Sequence, residues 1–367
     1  MQPGIEAPPS ISPQQAKRFR AMRRKDPPPT EFIDGILSGN RALLSRAITL
    51  TESRLAQHQE TAQRIIEGCL PHSGSSVRIG ITGVPGVGKS TFIESLGMHL
   101  IEDRAQKVAV LAVDPSSQVS GGSILGDKTR MERLSSNVQA FIRPSPSSGS
   151  LGGVTRRTRE SIILCEAAGF RNVFIETVGV GQSEIAVASM VDFFLLLMLA
   201  GAGDELQGIK RGIIEMADMM AINKADGQNL PRATAAQAEY QAALRLFPPS
   251  PSGWQPRVLT CSAQENTGIA EIWDAVIEHH RFVARSGYFD ERRRSQLVDW
   301  FEAAVQTDIA DAYQRDRSVA TRHETLLREV LQGEISPSKA ATLLVEQFLG
   351  NRPSSAPQSG RNEGKAP

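Results

Sequence analysis

Cysteine is scarce in this chain: only 3 residues, Cys69, Cys165 and Cys261, stand roughly a hundred positions apart among 367. That spacing excludes a disulfide framework and any cysteine-based metal motif, and it fits a reducing compartment. Net charge is lacking as well. With 41 basic and 40 acidic side chains the formal charge is +1, so no bulk field favours a nucleic-acid partner. The 6 histidines are scattered, and the adjacent pair His279-His280 should diverge around a helix rather than share a metal. Long hydrophobic runs are missing too. The longest, Phe193 to Ala200, is far too short to cross a bilayer, so no membrane association is expected. Met1 to Ser12 is proline-rich and holds no apolar run, which argues against a secretory signal. The basic stretch Lys17 to Lys25 reads as a solvated tail rather than a transit peptide, and no internal repeat is visible.

What is present is a core-forming composition, with 40% apolar residues, and a clear change of pattern along the chain. Residues 1–29 read as a flexible tail ending in Pro27-Pro28-Pro29. Over 30–75 apolar residues recur at helical spacing (Ile33, Ile36, Leu37, then Leu43, Leu44, Ala47, Ile48), which predicts two or three helices. Over 76–285 short β-rich runs alternate with helical stretches. The runs are Val77 to Ile81, Val108 to Val113, Val138 to Ile142, Val173 to Ile175, Phe193 to Leu199, Met219 to Ile222 and Arg257 to Cys261. Such alternation predicts an α/β fold, a doubly wound, mostly parallel sheet, here with N-terminal and C-terminal helical extensions. Residues 286–350 are helical again (Trp300, Phe301, Ala304, Val305; Leu326, Leu327, Val330, Leu331), and 351–367 read as a disordered tail.

Chemistry concentrates at the carboxyl ends of these runs. Gly83-Val84-Pro85-Gly86-Val87-Gly88-Lys89-Ser90 matches G-x-x-x-x-G-K-[ST] between a strand and a helix that opens with Thr91 in its first turn. Glycines let successive backbone N–H groups point inward at phosphate oxygens, and the helix adds the positive end of its dipole. Lys89 supplies a point charge to the β- and γ-phosphates, and the Ser90 hydroxyl is a Mg²⁺ ligand. Asn223-Lys224-Ala225-Asp226 ends a later run. Its Asp226 carboxylate can accept from guanine N1–H and the exocyclic amine, a pattern adenine cannot satisfy. Asn223 would steady the loop, and the stem of Lys224 would cover the base. Cys261-Ser262-Ala263 ends the next run and would offer the Ala263 backbone N–H to the same base. Glu176-Thr177-Val178-Gly179 ends another and resembles the D-x-x-G of most GTPases, whose acid lies near Mg²⁺ and whose glycine N–H meets the γ-phosphate. With glutamate in place of aspartate, Glu176 could reach Mg²⁺ directly or through water, or could instead cap the helix that follows. Asp114, at a strand end, and Asp127, in a Gly/Ser-rich stretch, are candidates for the Mg²⁺ shell and a switch loop, though either could be an Asx-turn residue. A further glycine-rich loop, Gly201 to Lys210, carries Asp204, Gln207 and Lys210.

Taken together, GVPGVGKS, VDPSS, GDKTRM, ETVGVGQSE, GAGDELQGIK and NKAD resemble one branch of P-loop GTPases, the MeaB and methylmalonic aciduria type A (ArgK-like) family. The resemblance covers about residues 30 to 350 and leaves out both tails. It implies a GTP-hydrolysing core and a homodimer held through the C-terminal helices. It also implies a partner, a B12-dependent acyl-CoA mutase, which the GTPase protects, reactivates and gates for cofactor loading, and which accelerates hydrolysis in turn. Lys89, Asp127, Glu176 and Gly179 would form the catalytic set; Ser90, Asp114, Asp127 and Glu176 the metal set. Asp204, Gln207 and Lys210 would couple to the partner, and the glutamate in E-x-x-G is a trait of the branch. Mg²⁺ and GTP or GDP are the expected ligands, with no tight cobalamin binding by this chain, in a bacterial cytoplasm or, in a eukaryote, the mitochondrial matrix. Rival readings are a nickel-delivery GTPase, a transport-associated ATPase or kinase, and a nucleotide-binding scaffold without meaningful hydrolysis. Clustered metal ligands, a preference for ATP, or an output indifferent to Glu176 and Asp127 would favour them respectively.

Overall fold

The structure is a computed structural model that describes residues 27–53, 55–113, 131–144, 151–177, 183–201 and 211–350. It comprises two compact units, divided between Arg293 and Arg294. The first opens with three helices, Pro29–Leu37, Arg41–Glu52 and Ala56–Cys69. Pro29, read from the sequence as the end of the tail, sits instead in the first helical turn, where its missing N–H costs nothing. Asn40 caps the second helix by accepting from Ala42 N (3.0 Å) and Leu43 N (3.2 Å). The inward face of this trio buries Phe32, Ile36, Leu44, Ala47, Ile48 and Ile65, and the trio packs on the helix Leu151–Ala167.

Seven strands follow: β1 (Val77–Gly83), β2 (Val108–Val113), β3 (Ala140–Arg143), β4 (Asn172–Thr177), β5 (Phe193–Leu199), β6 (Met219–Asn223) and β7 (Arg257–Thr260). They form one sheet in the order β3-β2-β4-β1-β5-β6-β7. Every described pairing is parallel. β2 and β5 run as the hydrophobic pattern predicts; the other strands differ by a residue or two at their ends. Val138 does not open β3. It is 80% exposed and precedes the strand, because Asn137 takes the turn with its side chain accepting from Gln139 N. β5 shows why the sheet is parallel: Phe193 to Met198 are all buried, as a strand covered on both faces by crossover helices must be.

The parallel order puts all strand carboxyl ends on one edge. The opposite edge is fastened by two aspartates in equivalent places. Asp192, just before β5, accepts from Arg78 N of β1 (2.9 Å) and from Arg293 Nε (2.9 Å) and Nη2 (2.7 Å). Asp218, just before β6, accepts from Phe194 N of β5 (2.9 Å), while its carbonyl accepts from Trp254 Nε1 (2.9 Å). Arg292 approaches Asp218 Oδ2 at 3.6 Å, and His279 Nε2 lies 3.6 Å from Asp218 Oδ1, too long for a hydrogen bond. Burial therefore dominates and holds His279 below its ordinary pKa; Asp218 and Asp192 oppose that shift, while Arg292 and His280 add to it.

The second unit has its own small core, Val319, Leu326, Ala340, Leu344 and Phe348, between the helices Arg317–Leu331 and Pro337–Gly350. Asp316 caps the first of these by accepting from Ser318 N at 2.8 Å, and Tyr313 meets Phe348 edge-on at 5.5 Å between ring centroids. Among the described residues no helix is long and apolar enough to cross a membrane. Of the sequence-predicted tails, 1–29 and 351–367, residues 1–26 and 351–367 lie outside the described residues.

Two outcomes follow for stability. Asp192→Ala takes from the half-buried Arg293 the carboxylate it donates to, leaving it the carbonyls of Gly74 and Ser76, so urea unfolding should show a loss of about 1.5–3 kcal/mol. Because the folded-state pKa of His279 is depressed, its neutral form stabilises the fold above about pH 6.5. Stability should fall as pH drops through that value, and His279→Gln should flatten this part of the urea-midpoint profile between pH 7.5 and 5.5.

Candidate functional site

At the carboxyl edge, β1 turns directly into the loop Val84–Gly88 and then the helix Lys89–Glu102. Two glycines make the turn possible. A Cβ on Gly83 would run into the carbonyl of Leu197 at the end of β5. Gly88 caps the helix with φ of 93°, and a Cβ there would sit 2.9 Å from Asn223 Nδ2. Lys89 is buried, and its ammonium donates to the carbonyls of Gly83 (2.8 Å) and Val84 (3.3 Å) inside the curl of the loop. Burial pushes its pKa below the lysine range, opposed by the nearby carboxylates of Glu176 and Glu184. Val87 is buried beneath the loop, whereas Pro85 and Gly86 are exposed, and so is Thr91 on the first turn of the helix.

β4 runs beside β1 with Ile81 opposite Glu176. That register brings Glu176 to the loop, where the Ser90 hydroxyl donates to Glu176 Oε1 at 3.4 Å. The hydroxyls of Thr82 and Thr177 pair at 2.7 Å and lock the two strand ends together. The oxygen pair fits what Mg²⁺ requires. This hard cation takes oxygen ligands, keeps several waters, and needs one or two protein groups besides phosphate. Glu184, on the helix Ser183–Ala188, is fully buried and is a second carboxylate facing Lys89. It stands in the ETVGVGQSE block, but sequence reasoning assigned it nothing, since its proximity to Lys89 depends on the fold.

The loop after β6 closes the other side. Asn223 Nδ2 donates to the Val87 carbonyl (2.8 Å), while its Oδ1 accepts from Ala263 N (3.1 Å) and from the Cys261 thiol (3.6 Å). Burial pushes that thiol up to about 12, so it stays a donor. Lys224, at φ of 59°, donates to the Gly86 carbonyl at 2.8 Å and lays its stem along the loop. Asp226 Oδ2 accepts from the Ser262 hydroxyl at 2.5 Å. Thus Asn223, Lys224, Asp226, Ser262 and Ala263 are gathered at one place and tied to the phosphate loop. One detail departs from the sequence reading: the Ala263 N–H, expected to face a base, here donates to Asn223. Asp114, Asp127, Gly179, Asp204, Gln207 and Lys210 lie outside the described residues. His279 and His280 do diverge: His279 packs against Phe193 and Trp254, His280 against Phe289.

A family model described as methylmalonyl Co-A mutase-associated GTPase MeaB matches residues 44–318. A probable GTPase of Mycobacterium tuberculosis is 54% identical over 320 residues, which cover 86% of this chain and 95% of the relative. A mitochondrial methylmalonic aciduria type A homolog of Mus musculus is 46% identical over 331 residues, covering 86% of this chain and 80% of its own. The crystal structure of an LAO/AO transport system kinase aligns with a TM-score of 0.69 at 38% identity, over 89% of this chain and 99% of that one.

The arrangement around Asp226 generates a test of base reading. Asp226→Asn replaces two acceptors by one acceptor and one donor, the complement of xanthine. GTP binding should weaken on the order of 100-fold or more as two charge-assisted bonds are lost. XTP binding should strengthen, and competition titrations with the two nucleotides read both changes.

Proposed function

This chain belongs to the MeaB family of P-loop GTPases, and from that premise we propose that it uses GTP hydrolysis to serve a cobalamin-dependent acyl-CoA mutase. In this reading it protects and reactivates the mutase and gates loading of adenosylcobalamin. The observation that carries the nucleotide part is the Asn223 bridge, which joins the phosphate loop to the base loop. The mutase part rests on the family description and on relatives named for methylmalonic aciduria.

The proposed chemistry is in-line attack of water on the γ-phosphorus, giving GDP and phosphate. The amides of residues 84–88 and the start of the helix Lys89–Glu102 hold the phosphate oxygens, and Lys89 meets charge that develops on the transferring group. Ser90 and Glu176 would hold Mg²⁺, with Asp114 and Asp127 in its wider shell; the bound ion supplies neutralisation of phosphate charge. Gly179 would donate its N–H to the γ-phosphate. Asn223, Lys224 and Asp226, with Ser262 and Ala263 behind them, bind guanine. Asp204, Gln207 and Lys210 carry the signal outward to the partner.

A homodimer is part of the same proposal. Leu297, Phe301, Val305 and Ile309 recur at four-residue steps on the helix Tyr288–Arg315, and all are exposed, Phe301 by 69%. Such a stripe suits burial against a second copy. For location we propose the bacterial cytoplasm, which suits a chain with this cysteine usage.

No glutamine immediately follows Gly179, the nearest being Gln182, so turnover alone should be slow. GTP hydrolysis by the purified protein should rise at least about tenfold when its own mutase is added, a modest share of what ordering a switch can supply. Equal rates with and without every cobalamin-dependent acyl-CoA mutase of the same organism would reject the chaperone reading and leave the GTPase standing.

A further inference from the structure

We propose that Ser95 is a positioning residue for base recognition, acting through the peptide of Ala263. Ser95 lies in the second turn of the helix Lys89–Glu102 and is buried. A serine inside a helix commonly turns its hydroxyl back to a carbonyl of its own helix. This one reaches across instead, donating to the carbonyl of Ala263 at 2.5 Å, 168 residues further along the chain. The Ala263 residue is thereby held from both sides, since its N–H donates to Asn223 Oδ1 at 3.1 Å.

What Ala263 fixes is the base loop. Ser262 and Thr267 exchange backbone bonds of 3.0 and 3.2 Å, which close that loop into a rigid turn. The Ser262 hydroxyl donates to the side chain that would read guanine, Asp226 Oδ2, at 2.5 Å. Holding Ala263 therefore holds Ser262 and, through it, the orientation of the Asp226 carboxylate. The same helix begins with Lys89 and Ser90, the phosphate-side residues. One rigid element thus sets the spacing between the phosphate end and the base end of the site. Ser95 is this helix's own hydrogen bond to the base loop, beside the Asn223 bridge from the phosphate loop.

This inference rests on the guanine reading proposed above, and the test separates the two. Dissociation constants for GDP, IDP and ADP are measured with Mg²⁺ for the wild type, Ser95→Ala and Ser95→Thr. IDP lacks the exocyclic amine and ADP presents neither guanine donor, so the GDP:IDP and GDP:ADP ratios report base reading independently of phosphate binding. A wild type that binds GDP and ADP equally would reject the guanine reading, and the role of Ser95 with it. With discrimination present in the wild type, Ser95→Ala should weaken GDP about 5–10-fold, the loss of one buried hydrogen bond. ADP should be unaffected, both ratios should fall, and Ser95→Thr, which keeps the hydroxyl, should restore them. A variant that loses thermal stability yet keeps both ratios would overturn the proposal, because a hydroxyl that merely satisfies a buried carbonyl has no effect on selectivity. Should Ser95→Ala not fold, Ser95→Cys, close in volume with a weaker donor, carries the same comparison, and unchanged ratios there overturn it equally.

Discussion

The side-chain amide of Asn223 is the tie on which the rest of the site depends. Its nitrogen grips the carbonyl of Val87 in the phosphate loop, and its oxygen takes the N–H of Ala263 and the thiol of Cys261. All of these groups are buried. An amide donates and accepts in a fixed plane without carrying charge, so it can join a carbonyl to an N–H at no cost in buried charge. Removing it would leave a carbonyl and an N–H unsatisfied in a dry setting, each costing about 1–3 kcal/mol. Glycine at position 88 is a consequence of the same tie, because a Cβ there would press on the Asn223 nitrogen.

The sheet makes this tie possible and is secured at its other edge. Asp192 and Asp218 each precede a strand and accept an N–H from the neighbouring one, so β1, β5 and β6 are pinned at their amino ends. Arg293 then covers Asp192 and also donates to the carbonyl of Ser76 at 2.7 Å, ahead of β1. Pinned feet leave the carboxyl ends to carry loops whose positions answer to a ligand rather than to the core. The fastening contacts and the proposed site thus lie at opposite edges of one sheet, as ligand sites do in open parallel sheets generally.

How much of this was legible in the sequence follows from distance along the chain. The phosphate loop was readable because glycine, lysine and serine stand within eight consecutive positions and a strand and a helix flank them. The strands were readable because unbroken apolar runs such as Phe193 to Met198 have few other uses. Asn223 and Asp226 were readable as a motif, though not the way Asn223 also consumes the Ala263 N–H. Ser95, Glu184, Asp192 and Arg293 gave no local signal. Each acts on a partner set by the crossover topology rather than by a spacing: 168 residues separate Ser95 from Ala263, and 101 separate Asp192 from Arg293. Val138 shows the reverse error, an apolar residue counted into a strand that an asparagine turn had not yet begun.

The charges around Lys89 bear on why a divalent ion belongs in the proposed mechanism. Burial disfavours the ammonium, and Glu176 and Glu184 favour it. The carboxylates that favour the charged form of Lys89 would also repel an incoming triphosphate. Removing them would ease that repulsion but weaken the ammonium that meets the γ-phosphate. A cation held by the Ser90 hydroxyl and the Glu176 carboxylate, 3.4 Å apart, would resolve the conflict, since Glu176 would then face positive charge instead of phosphate. Glu184, fully buried on a separate helix, is left to balance Lys89. In the proposed mechanism the two carboxylates near one lysine would not be redundant: Glu176 would serve the metal and Glu184 the ammonium, and the longer reach of glutamate over aspartate at position 176 would suit the first of these tasks.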